Sequence, residues 1–160
     1  MYQNLDEAKK DLISRGYKID DPWDIVDLFE SQVAKYAGSK FAISLDSCTN
    51  AMYLCLKYLK ASGSIYIPKK TYLSVPSLIL HANCKPKFRE IEWSGVYKLD
   101  PYPIIDGATR FKKNMYIKDT FHCLSFHRKK ILPITKGGMI LTNDSKARDW
   151  FKLARYNGRN

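Results

Sequence analysis

The chain of 160 residues, 45% hydrophobic and 13% aromatic, has the length and apolar content to bury a core, which excludes a disordered or fibrous protein. Its 27 basic against 16 acidic residues leave a formal charge of +11, which suits nucleic acid, an anionic membrane or phosphorylated small molecules. The basic residues fall in scattered pairs (Lys9-Lys10, Lys69-Lys70, Lys112-Lys113, Lys129-Lys130) with no nucleic-acid-binding motif around them, so a nucleic-acid partner is not expected.

The four cysteines, Cys48, Cys55, Cys84 and Cys123, lack CxxC spacing and each lies in or beside an expected strand or helix. That argues against a zinc cluster or a disulfide framework and for a reducing compartment. The N-terminal run MYQNLDEAKKDLISR alternates charge without an apolar centre, and no apolar run has the length of a membrane span. The expectation is a soluble, cytoplasmic protein with no metal and no membrane contact.

In chain order, Leu5, Ala8, Leu12 and Ile13 have helical spacing and Gly16 is placed to stop a short lead-in helix. After the turn at Asp20 to Pro22, Ile25, Leu28, Phe29, Val33 and Tyr36 mark a helix that Gly38 caps. Phe41 to Leu45 (FAISL) reads as a strand, followed by the small polar turn DSCTN and a helix over Ala51 to Leu59. Ser64 to Pro68 (SIYIP) is strand-like, and Val75 to Ala82 is an apolar helix whose first turn tolerates Pro76. Phe88 to Trp93 alternates like a half-packed strand. Tyr102 to Ile105, Thr120 to Phe126 and Met139 to Leu141 supply further strands, and Asp144 to Tyr156 a final helix capped by Asn143 or Asp144. Strands alternating with helices imply a layered α/β fold with a mostly parallel sheet.

Ligands of such sheets gather at the carboxyl ends of the strands. Those ends here carry Ser47 and Thr49, then Tyr72, then Asp106, then Ser125 with Lys130. Strand, small polar turn and helix start form an anion site in which amides and the helix dipole face a phosphate. Separately, each residue has an ordinary explanation: Ser47 or Thr49 as an N-cap, Asp106 as a turn cap, Tyr72 as a packed aromatic, Lys130 as a solvated lysine, His122 and His127 as packing or orienting groups. Jointly they suit pyridoxal phosphate. Its phosphate would lie by Ser47, Thr49 and Ser125, with Tyr72 over one ring face, Asp106 at the pyridine nitrogen and Lys130 as the imine-forming amine.

Ser47-Cys48-Thr49-Asn50-Ala51 resembles the SGTxA phosphate loop, and Pro68-Lys69-Lys70-Thr71-Tyr72 the Pro-x-x-Thr-aromatic segment, of the DegT/DnrJ/EryC1/StrS family. Ile105-Asp106-Gly107-Ala108 is similar to the family's Asp-x-Ala segment, and SFHRKKILPITKGG to its Ser-Phe-His-x-x-Lys motif with the glycines that follow. The resemblance runs from about Trp23 to the C-terminus. It implies the three-layer α/β/α large domain of a fold-type I pyridoxal-phosphate transferase, as one partial domain over residues 1–160 that lacks the small C-terminal domain. It further implies a homodimer that aminates a nucleotide-linked keto sugar, with glutamate as amino donor, for polysaccharide or deoxyamino-sugar biosynthesis. Lys130 and Asp106 would be catalytic, and Ser47, Cys48, Thr49, Tyr72, Asp106, Thr109, Ser125 and Lys130 would hold the cofactor. Retention of Lys130 sets the chain apart from the family's dehydratases, which have His there.

Four departures from the family pattern stand out. Cys48 replaces the loop glycine, Thr109 stands where Gln or His is usual, and Lys136 stands where Glu is usual. Between Trp93 and Asp106 the family normally inserts a helix and another strand, and this chain has only a short connection. The end of the chain, RYNGRN, resembles the end of the large domain. A truncated, non-catalytic relative serving as a binding or assembly partner is the alternative reading.

Overall fold

The computed structural model describes residues 4–156 and 158, so Asn157, Arg159 and Asn160 of the RYNGRN terminus lie outside the described residues. Helix α1 (Leu5–Ser14) starts at Asn4, whose side chain accepts the Glu7 amide, and buries none of its residues. Helix α2 (Pro22–Ala37) is better anchored. Asp21 and Asp24 form a reciprocal capping box, Pro22 opens the first turn, and Gly38 closes the helix in the left-handed region.

Strand β1 (Phe41–Leu45) runs into α3 (Cys48–Tyr58). The helix begins three residues earlier than the apolar spacing predicts, because Ser47 adopts extended backbone and its Oγ accepts the Asn50 amide at 3.2 Å. Cys48 and Thr49 therefore belong to the first helical turn. Strand β2 (Ser64–Pro68) leads to α4 (Ser74–His81) and then β3 (Lys85–Arg89). The expected strand over Phe88 to Trp93 is displaced toward the N-terminus. The Lys85 amide bonds to Gly63 O at 2.8 Å, so parallel pairing with β2 starts at Lys85 and is complete at Arg89. Alternation alone does not set that register.

The short connection after Trp93 contains a strand that sequence patterning does not mark, β4 (Tyr97–Lys98), antiparallel to β5 (Ile104–Asp106). Strands β6 (Phe121–Ser125) and β7 (Gly138–Thr142) follow, and α5 (Ser145–Ala154), capped by Asp144, ends the regular structure. The strands are hydrogen-bonded in the order β1-β7-β6-β5-β4, with β2-β3 as a separate pair. Reciprocal bonds between Tyr66 and Asp100, N to O at 2.7 and 3.1 Å, join the two groups just beyond β4. β4 thus lies between β5 and β2, where a separate strand would otherwise be needed. Strands β1, β2, β3, β5 and β6 share one direction, and β4 and β7 oppose it. The fold is therefore α/β with mostly parallel strands.

One face of the sheet packs against α3, α4 and α5 through Ile43, Ile67, Leu99, Cys123, Ile140 and Phe151. The other packs against α2 and the 111–116 loop through Val33, Met115, Leu124, Phe126 and Leu141. At the β2–β3 end no described helix covers this second face, where Lys85, Lys87 and Arg89 alternate along the edge strand and the Arg89 guanidinium lies 3.6 Å from the Tyr66 ring centre. Cationic side chains keep the edge solvated and discourage pairing with another chain. No described helix is long and apolar enough to cross a membrane.

His122 is fully buried on β6, and both ring nitrogens lack a hydrogen-bond partner among the described residues. Its ring lies against Gly107, where any Cβ would come within 2.5 Å of Nε2. Burial, helped by the charge of Arg110, lowers its pKa from 6.5 to about 4. The unfolded chain takes up this proton from about pH 6.5 downward and the native chain only near pH 4. Stability is therefore complete above pH 6.5 and is lost as pH falls, by about 3 kcal/mol in all. His122→Leu is expected to remove this loss. Urea unfolding at pH 7 and pH 4 checks it, and an equal acid sensitivity of the two proteins would refute it.

Candidate functional site

The residues that the sequence singles out converge on the carboxyl-terminal edge of the sheet. Ser47, Cys48 and Thr49 lie where β1 passes into α3, Asp106 ends β5, and Ser125 ends β6. Lys130 follows in the turn that leaves β6, its amide bonded to His127 O at 2.8 Å.

Close backbone contact binds the first and last of these elements together. Ser125 pairs with Gly138 across β6 and β7, and Leu45 pairs with the same glycine across β1 and β7. A Cβ on Gly138 would stand 2.1 Å from Ser47 C and 2.4 Å from Cys48 N, so only glycine lets β7 meet the first turn of α3 this closely. Ser125 and the Ser47–Thr49 turn are neighbours for that reason. The amides of the first helical turn have no intrahelical acceptor and make a natural anion site. Asn50 Nδ2 holds the Asp46 carboxylate at 2.7 and 2.8 Å, beside Ser47 Oγ. Thr49 Oγ1 shares a hydrogen bond of 2.9 Å with Ser74 Oγ at the start of α4.

Asp106 is the electrostatic centre of this edge. It is buried, and its Oδ1 accepts the Ala108 amide at 2.9 Å while its Oδ2 accepts the Tyr97 hydroxyl at 2.6 Å. The Cys48 thiol stands 4.0 Å from Oδ1, at the outer limit for a sulfur donor. Burial raises the pKa of Asp106, and the Tyr97 bond, the Ala108 amide and the positive charge of Lys130 oppose that rise. The Cys48 thiol is pushed well up, first by burial and then by the Asp106 charge, with Lys130 again opposing. This thiol stays protonated at neutral pH and is not a nucleophile.

Two further candidate residues, Tyr72 and Thr109, are exposed. Tyr72 is 76% exposed beyond β2, and so is open to a flat ligand rather than packed in the core. Thr109 is exposed, and its hydroxyl bonds to Gly95 O at 3.1 Å instead of turning to Asp106. Thr71 and Tyr97, by contrast, enter the site although neither is among the cofactor contacts that the sequence implies. Thr71 Oγ1 lies 2.5 Å from Tyr97 OH. The signal for Tyr97 was weak, a tyrosine in the unassigned stretch Gly95 to Leu99. A groove of about 620 Å³ between α2, α3 and α5 is lined by Trp23, Leu54, Arg155 and Tyr156 among others, and by neither Asp106 nor Lys130. No cluster of His, Cys, Asp and Glu among the described residues is arranged to hold a metal.

Residues 8–114 and 107–160 match the DegT/DnrJ/EryC1/StrS aminotransferase family. The uncharacterized protein MJ1066 of Methanocaldococcus jannaschii is 25% identical over 199 aligned positions, which take in 96% of this chain and 50% of the relative. Since 199 positions exceed the 160 residues available, the relative carries residues that this chain lacks within the matched region. The spore coat polysaccharide biosynthesis protein SpsC of Bacillus subtilis is 30% identical over 86 residues, 52% of this chain and 22% of the relative. Among solved structures, DesI in the presence of its TDP-sugar product superposes with a TM-score of 0.73 at 17% identity, over 98% of this chain and 50% of that one. DesV of S. venezuelae in complex with a ketimine intermediate gives 0.69 at 16% identity, over 98% and 57%. The likeness to these structures is one of fold. The chain spans half the length of the first of these relatives and less of the second.

Proposed function

Because this chain belongs to the DegT/DnrJ/EryC1/StrS aminotransferase family, we propose that it provides the cofactor-binding face of a pyridoxal-phosphate-dependent aminotransferase acting on a nucleotide-linked keto sugar. The observation that carries this reading is the meeting of a helix-start anion site, a buried carboxylate and a lysine on one sheet edge, with Lys130 near enough for its charge to act on both Asp106 and Cys48. Three features of this edge support that reading. Gly138 leaves room for the Ser47–Cys48 backbone, Asp106 offers a buried anion for a protonated ring nitrogen, and exposed Tyr72 can lie over a ring face.

When bound, the cofactor supplies an electron sink for charge developing at the amino donor's Cα. The amides of Cys48 and Thr49, with the hydroxyls of Ser47, Thr49 and Ser125, hold its phosphate. Asp106 keeps the ring nitrogen protonated, which strengthens the sink. The Lys130 amine would hold the cofactor and serve as the acid–base group that moves a proton at the amino donor's Cα. Glutamate as donor, a cytoplasmic setting and a homodimer that completes the open strand-end face belong to the same proposal, as does the assignment of the whole chain to one partial large domain. The chain's excess positive charge favours an anionic nucleotide diphosphate sugar.

The shortened connection between Trp93 and Asp106 supports a second reading, a non-catalytic family member that acts as a binding or assembly partner. Incubation with pyridoxal phosphate, borohydride reduction and peptide mapping separate the two. The enzyme reading expects the reduced label on Lys130, and a peptide map with no label there rejects it.

A further inference from the structure

We propose that Tyr97, held in place by Thr71, is the positioning residue that orients the Asp106 carboxylate and keeps it ionised, a task that falls in this chain to the shortened connection before β5. Its meaning for cofactor binding rests on the function proposed above. Its meaning for the carboxylate does not.

The direction of the hydrogen bonds follows from counting protons. Tyr97 OH has one proton and lies 2.6 Å from Asp106 Oδ2 and 2.5 Å from Thr71 Oγ1. An ionised Asp106 only accepts, so Tyr97 donates to it, and Thr71 must then donate to the phenol oxygen. The relay runs from Thr71 to Tyr97 to Asp106. Burial and the neighbouring Asp106 push the Tyr97 pKa far up, so the phenol remains a donor across the working pH range.

The fold builds this contact deliberately into two elements. Tyr97 and Asp106 are directly opposed in the β4–β5 register, which puts both side chains on one face of the sheet. The Trp93 ring meets the Tyr97 ring edge-on at 4.8 Å, and Trp93 Nε1 donates to Lys70 O at 2.9 Å. The 93–97 connection is thereby pinned to the 70–72 segment, and Thr71 and Tyr97 stay in register. Thr109, at the position where the family usually has Gln or His, spends its hydroxyl on Gly95 O. Among the described residues, the other donors to Asp106 are the Ala108 amide and the distant Cys48 thiol. Of the influences that oppose the burial of this carboxylate, Tyr97 is the largest. The charged and titratable groups that act on Asp106 are Tyr97, Lys130, Cys48 and Cys123.

The test is a titration of Asp106 by NMR in protein carrying ¹³C-carboxyl aspartate, without added cofactor, with the resonance assigned by Asp106→Asn. Tyr97→Phe keeps the ring and removes the donor, and should raise the Asp106 midpoint by about one pH unit or more. Thr71→Val should move it in the same direction by less. At a pH below both midpoints, retention of added pyridoxal phosphate should weaken in Tyr97→Phe by roughly tenfold for each unit of that rise. An Asp106 midpoint unchanged in both variants overturns the proposal. If Tyr97→Phe fails to fold by near-ultraviolet circular dichroism, an unchanged midpoint in Thr71→Val alone overturns it. If the midpoint rises but the unaltered protein retains no cofactor, the relay stands and the aminotransferase reading is what fails.

Discussion

Lys130→Ala should reduce borohydride-fixed incorporation of pyridoxal phosphate to background, whereas Lys129→Ala should retain it. The two lysines are adjacent, and a sequence motif alone separates them by count. In the structure they differ physically. Lys129 is exposed, its amide bonded to His127 Nδ1 at 3.3 Å, while Lys130 is half-buried and its charge acts on Asp106 and Cys48. An alanine has no amine to condense with an aldehyde, so the covalent step is lost outright. Any turnover would fall by roughly 10²–10⁴-fold or more, the scale of losing a positioned acid–base group. Mass spectrometry of reduced, digested protein reads the result. Label that persists in Lys130→Ala, or that vanishes in Lys129→Ala, would move the assignment to the other lysine.

Glu30→Ala should destabilise the fold by about 3–5 kcal/mol, the cost of leaving a buried charge without its partner. Glu30 lies on α2 with its side chain 6% exposed, and it faces Arg155, 11% exposed, at the end of α5. The same carboxylate accepts the Ser44 amide at 2.7 Å and the Ser44 hydroxyl at 2.8 Å from β1. Lys152 adds a looser contact at 3.8 Å. One acid therefore ties together α2, the edge strand β1 and α5, and its removal leaves the guanidinium with the longer contacts to Ser44 O and Oγ, at 3.4 and 3.2 Å, and takes the acceptor from two Ser44 donors at once. Glu30→Gln, which keeps the acceptor oxygen and loses the charge, should cost less. Urea unfolding at neutral pH measures both, and a loss below about 1 kcal/mol for Glu30→Ala would mean that Arg155 finds another partner or reaches solvent.

These cases show how far the sequence was readable. The helices were legible because each carries its own signals. Asp21 with Asp24 and Gly38 bound α2, Ser47 caps α3 and Asp144 caps α5, and all of these act within a few residues of one another. Strands β1, β2, β6 and β7 were legible from short apolar runs. The β3 register was not, because FREIEW alternates as well as KPKFR, and the choice was made by hydrogen bonds from β2. β4 was not legible at all. Two residues contain no period, and the strand exists because the antiparallel return into β5 fills the gap beside β2.

The candidate site divides in the same way. Ser47, Thr49, Asp106, Ser125 and Lys130 could be named from sequence because short motifs hold them at set distances along the chain. The partners of Asp106 could not. The Tyr97 contact depends on β4 lying antiparallel to β5, and the contact between Ser47 and Gly138 depends on β7 passing beside α3. Thr109 shows the opposite case, a residue in a matching position whose hydroxyl the local turn directs to Gly95.

By itself, then, the sequence determined the alternation of strands and helices, the caps of α3 and α5 to within two residues and the identity of the chemistry-bearing strand ends, because these are set by interactions between near neighbours. Only the tertiary structure decided the order and direction of the strands, the burial of Asp106, its Thr71–Tyr97 relay and the Glu30–Arg155 pair across 125 residues. Hydrogen bonds and charges at such separations depend on which elements lie side by side, and the whole packed fold sets that arrangement.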